Sequence, residues 1–250
     1  MARCCFFIFA VFLIWSWTPA TEATGGIVED MAAFDRVYVA VLFSTGDENR
    51  VTSKKMIKGL EAQWMLFKKD HFNDFRHNRS AKNDFAEINQ IIEDAARLSR
   101  LNGPAGDVHE ILEGVRITFF HFRRRNALEY YPDYLTKFHI AMQGMVFLVK
   151  NKTPESLTDS NIMALKNQLT GAAEAWNEAA AAKCDRRLFL MNKDSEAKRR
   201  ECIKNTTESL ARLKQALEST DKEAIVAATL STQAESEKLY ALFGDIESVN

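Results

Sequence analysis

Apolar positions return every three or four residues almost throughout this chain: Ile88, Ile91, Ile92 and Leu98, then Leu135, Phe138, Met142, Met145 and Val149. This is the period of a helix with one buried face, not the alternation of a half-buried strand. The clearest stripe, Ile203, Thr206, Leu210, Leu213 and Leu217, keeps a strict three-four alternation and demands neighbouring helices to pack on. Prolines punctuate the pattern without interrupting it: after the N-terminal segment they fall at Pro104, Pro132 and Pro154, beside other breakers, and none follows from Glu155 to Asn250.

Eight helices are predicted, at roughly 28–45, 52–77, 80–102, 107–126, 132–151, 160–192, 195–219 and 221–244. Thr220 with Glu223 reads as a capping box, and Ser53 and Asp194 as caps. Val37 to Phe43, VYVAVLF, is rich in β-branched and aromatic residues and competes as a strand, but no partner strand is visible. The fold class is therefore all-α, an antiparallel helical bundle.

A weak internal repeat divides the eight helices into two tandem four-helix bundles, 27–126 and 127–250, joined near Ala127 to Pro132. Phe34 to Phe43 lies over Phe138 to Phe147, Gly59 to Trp64 over Gly171 to Trp176, and Ala96 to Leu98 over Ala211 to Leu213, with offsets of 104, 112 and 115. Offsets that grow in one direction are expected of a duplication whose second copy has longer loops.

Residues 1–23 place one positive charge, Arg3, before an apolar run from Cys4 to Trp15 and small residues around Ala20 and Ala23, the layout of a cleaved secretory signal. The run is well short of the ~20 residues that span a membrane. The expected destination is outside the cytoplasm, in the periplasm of a Gram-negative bacterium or otherwise the extracellular space. Lys+Arg at 33 against Asp+Glu at 34 give no basic field for nucleic acid. The clusters Arg123–Arg125 and Lys198–Arg200 read as solvated faces or helix ends. Three sequons, at Asn78, Asn151 and Asn205, matter only in a eukaryotic secretory pathway and are no more than chance supplies.

After the signal two cysteines remain, Cys184 and Cys202, each nine residues from Lys193. If the chain turns back at Lys193 between two antiparallel helices, the pair stands level across helices whose facing Cα atoms are roughly 3.4–5.4 Å apart, within reach of a disulfide. An oxidising compartment favours that bridge.

No catalytic residue is assigned, because the sequence carries no GxSxG elbow, phosphate loop, dinucleotide fingerprint or HExxH. The expected role is a non-catalytic binding or accessory module. The candidate partner surface is the aromatic and basic junction from Phe120 to Tyr134, rich in residue types that interfaces favour; the preferred reading of the same residues is a helix end with snorkelling arginines and a turn packed by tyrosines. The alternative is a haem- or metal-binding bundle, holding haem b, copper or iron in its core. Covalent haem lacks its CxxCH motif, and a di-iron centre lacks its Glu-x-x-His pairs. His139, with Met142 three residues on, joins an apolar stripe and forms a soft pair suited to copper or haem iron. His109 and Glu113 come one histidine short of a zinc-peptidase helix. Val108, Leu112, Val115 and Phe119 define the buried face of their helix, which leaves this second metal candidate on the edge as a surface pair.

Overall fold

The computed structural model describes residues 25–46 and 50–245; the predicted signal segment, residues 1–23, lies outside them. Among the described residues every regular element is helical. The helices are α1 (Gly25–Gly46), α2 (Arg50–His71), α3 (Arg79–Arg100), α4 (Ala105–Arg125), α5 (Tyr131–Val149), α6 (Asp159–Ala181), α7 (Lys193–Ser219) and α8 (Lys222–Ala241), with short 3-10 turns at Phe72–Phe75 and Pro154–Ser156. No helix among them is long and apolar enough to cross a membrane.

Neighbour contacts close two four-helix rings. In one, α1 packs on α2, α2 on α3, α3 on α4 and α4 back on α1; in the other, α5, α6, α7 and α8 close in the same way. The rings join where α1 meets α8 and α4 meets α5, so α1, α4, α5 and α8 form a third, central quartet. One continuous apolar core runs through both rings.

Membership of two quartets explains α1. Met31, Phe34, Tyr38, Val39, Val41 and Leu42 are all at most 1% exposed, so neighbours surround the helix. A helix that is apolar nearly all round is stable only when so enclosed. Enclosure thus overrides the β propensity of VYVAVLF, and the segment is helical. Its partner α8 is held close by the turn that follows it. A Cβ on Gly244 would stand 2.9 Å from the backbone nitrogen of Ala40, and the Asp245 amide donates to the Arg36 carbonyl at 2.9 Å.

The rings share a packing pattern. Phe34 of α1 lies edge-on to Trp64 of α2, with ring centroids 6.1 Å apart, and the Trp64 indole donates to Asn89 of α3. In the second ring Phe138 of α5 packs on Trp176 of α6 at 5.0 Å, and the Trp176 indole donates to Thr207 of α7. These are the positions that the repeat lays over one another.

Three expectations are corrected. The sixth helix does not run to residue 192: it ends at Ala181, and residues 182–192 form a compact loop. Asp185 turns the chain there, its carboxylate accepting the amides of Arg187 and Leu188, a local bond that competes with helix. Phe189 then reaches into the junction, 5.3 Å from Tyr130 and 4.9 Å from Phe243 between ring centroids. The disulfide falls with that helix. Cys184 and Cys202 are separate thiols, half-buried, because Cys184 sits in the loop among Tyr131, Glu196 and Arg199, whereas Cys202 on α7 looks toward Glu235 and Lys238 of α8. The caps shift too. Asn192 caps α7 by accepting the Asp194 and Ser195 amides, Asp221 caps α8, Thr220 closes α7 in the left-handed region at φ 57°, and Ser53 lies inside α2.

Candidate functional site

Two adjacent stripes run along α4, offset by one residue. Val108, Leu112, Val115, Phe119 and Phe122 are at most 3% exposed and form the apolar wall of the first ring. His109, Glu113, Arg116, Phe120 and Arg123 repeat the same three-four spacing one position on. The partners of its two arginines lie on α5 and α8: Arg116 donates to Thr136 and covers the Tyr240 ring at 3.8 Å, while Arg123 grips Asp133. The joint between the rings is therefore a polar seam, and it crosses the central quartet.

One end of the seam is an ionic lock. Arg123, 2% exposed, donates through Nε to both oxygens of Asp133 at 2.9 and 3.0 Å, and its guanidinium lies 4.3 Å from the centre of the Tyr130 ring. The Tyr130 hydroxyl donates to Asp35 of α1 at 2.8 Å. Burial pushes the Asp35 carboxyl up to about 6, with Arg123 and the tyrosine bond opposing it. Burial also raises Asp133, despite Arg123. Arg123 was expected on a solvated helix end with Arg124 and Arg125; instead it turns inward, because Asp133 at the start of α5 offers a buried partner. Tyr130 and Tyr131 are 2% and 3% exposed, as expected of a turn packed by its tyrosines and not of a partner surface.

The other end gathers residues that the sequence assigned to two separate sites. His109 Nδ1 lies 2.9 Å from the carbonyl of Leu42; a carbonyl only accepts, so Nδ1 carries the proton and the Nε2 lone pair is free in the neutral ring. Nε2 stands 3.6 Å from Glu113 Oε1. Across the joint, His139 Nε2 stands 3.5 Å from Glu113 Oε2, and their side chains are only 12% and 14% exposed. Both atoms are buried and neither makes a hydrogen bond. Burial, with Arg116 and His109 nearby, drives the His139 imidazole down to about 2, so the ring is neutral at ordinary pH. Arg116 Nη1 is 3.5 Å from Glu113 Oε2. Glu237 of α8 faces the same group, its carboxyl raised by burial.

No family model, curated protein or solved structure matches this chain. The site must be read from its own chemistry.

Glu113 and His139 meet, which the sequence did not anticipate; Met142 lies 2% exposed in the apolar core. His109 and Glu113 form the expected edge pair, with the His109 side chain 32% exposed, and α1 adds the Leu42 carbonyl as a partner for the histidine. Among the described residues no three His, Cys, Asp or Glu side chains stand ready around a common point to hold a metal ion. The two histidine nitrogens approach opposite oxygens of Glu113, so the three donors are neighbours without sharing a centre. Arg116, Arg123, Asp133 and Asp35 were missed as members of a site. The signal that could have found them is the seven-residue spacing of His109, Arg116 and Arg123 beside an intact apolar stripe.

Proposed function

We propose that this protein is an exported, non-catalytic binding module whose ligand is a single transition-metal ion held between His109, Glu113 and His139. The observation that carries the reading is the orphaned pair at its centre: Glu113 Oε2 and His139 Nε2, buried, 3.5 Å apart and without hydrogen bonds. Leaving such groups buried without a hydrogen bond costs about 1–3 kcal/mol each; Arg116 Nη1, 3.5 Å from the same Glu113 oxygen, offers it an ion pair but no hydrogen bond, and a bound cation answers both groups at once. Two imidazoles and a carboxylate suit copper, iron or zinc. The bond from His109 to the Leu42 carbonyl supports the reading, since an outer partner of this kind fixes which ring nitrogen is the ligand.

Export rests on the N-terminal signal pattern. Ancestry by duplication is part of the same reading, supported by the matched Phe34–Trp64 and Phe138–Trp176 pairs. The test is elemental analysis and an absorption spectrum of protein purified without chelators from its native compartment. The reading expects about one copper, iron or zinc per chain, absent from His139→Ala. A haem spectrum, or metal retained in that variant, would overturn it.

A further inference from the structure

The three sequons have different structural situations. Asn205 lies inside α7, half-buried, and its side-chain amide donates to Glu235 of α8, so a glycan there would stand in the joint between two packed helices. Asn78 caps α3: its oxygen accepts the Ala81 amide at 3.1 Å, and its amide group donates to Asn126 at 3.3 Å. Asn151 follows the end of α5 on an exposed turn, at φ 64°, and its side chain makes no hydrogen bond or ion pair. The turn does not need that side chain, because backbone bonds close it: Lys150 donates to the Val146 carbonyl and Lys152 to that of Val149. Thr153, the third residue of the sequon, is also exposed.

We infer that Asn151 is an N-glycosylation acceptor, the sequon of this fold whose amide and surroundings leave room for a glycan. This inference rests on the export reading, because the modification belongs to the lumen of a eukaryotic secretory pathway. The co-reactant is a lipid pyrophosphate-linked oligosaccharide. The Asn151 Nδ2 forms a bond to the anomeric carbon of the first sugar and loses one proton. The bond from that carbon to the pyrophosphate oxygen breaks, and the lipid pyrophosphate leaves. The product keeps one N–H on the side chain and adds polar bulk where the turn meets water. At Asn205 the same bulk would separate α7 from α8.

The test expresses two forms in eukaryotic secretory cells: the full chain, and a form whose residues 1–23 are replaced by the leader of a known secreted protein. Peptide mapping after glycosidase treatment in heavy-oxygen water, on protein from cells and medium together, reads occupancy at each sequon. Both forms should carry a glycan at Asn151 and none at Asn205. Asn151→Gln and Thr153→Ala should lose it, and Thr153→Ser should keep it. An unmodified Asn151 in the leader-bearing form overturns the inference. A full chain that stays unmodified in the cytosol, beside an occupied leader-bearing form, overturns the export reading and leaves the acceptor assigned.

Discussion

Glu113 Oε2 and His139 Nε2 face each other at 3.5 Å across the joint between the two rings, both buried and neither hydrogen-bonded. One comes from the polar stripe of α4 and the other from α5, so the contact exists only when the rings are docked. The joint is thus also where stability should answer to pH.

His139 titrates at about 2 in the folded protein, against an ordinary 6.5. A depressed imidazole leaves the unfolded chain holding the extra proton below 6.5. Stability therefore falls as pH drops through that value, by roughly 1 kcal/mol per pH unit. Urea unfolding of the ligand-free protein between pH 7 and 4 should show this slope, and His139→Leu should flatten it. An unchanged slope in the variant would place the acid sensitivity elsewhere.

Asp35 has the opposite sign. Its carboxyl is raised to about 6 from 3.8, so the folded state holds the proton more tightly and ionisation above 6 works against folding. Asp35→Asn keeps an acceptor for the Tyr130 hydroxyl and removes the charge. Above pH 7 it should stabilise the protein by about 2 kcal/mol, a gain that disappears below pH 4. Denaturant midpoints at the two pH values decide this.

The lock between Arg123 and Asp133 should show the asymmetry of buried ion pairs. Asp133→Ala leaves the guanidinium of Arg123 without its carboxylate and should cost about 3–5 kcal/mol, whereas Arg123→Met with Asp133→Leu should recover most of that loss. A double variant as unstable as the single one would mean that the pair contributes net stability.

Cys184 and Cys202 should both react as thiols when the native protein is mapped by alkylation under non-reducing conditions. Burial pushes the Cys184 thiol up to about 11, so its modification at pH 7 should be slow and should quicken once the protein is unfolded. Recovery of a bridged peptide would contradict the loop at 182–192.

The helices were legible because α3, α5 and α7 each carry a single apolar face whose period does not depend on distant partners. The polar seam was not, since the burial of Arg116 and Arg123 is decided by Thr136, Tyr240 and Asp133 on other helices. His109 shows the same limit. Helical phase put it on the edge of α4, where its side chain is 32% exposed, but phase does not show that α1 brings the Leu42 carbonyl to its Nδ1. The pairing of Cys184 fails for a local reason that the sequence contains: Asp185, the next residue, carries a side chain that turns the backbone.

The most direct measurement is calorimetric titration of the purified, chelator-stripped protein with zinc and with copper, comparing wild type with Glu113→Gln, His109→Ala, His139→Ala and Met142→Leu. One ion should bind per wild-type chain, with affinity at least about 10-fold weaker in each of the first three variants and unchanged binding in Met142→Leu. A wild-type protein that takes up neither ion, or one whose affinity survives loss of His139, would contradict it.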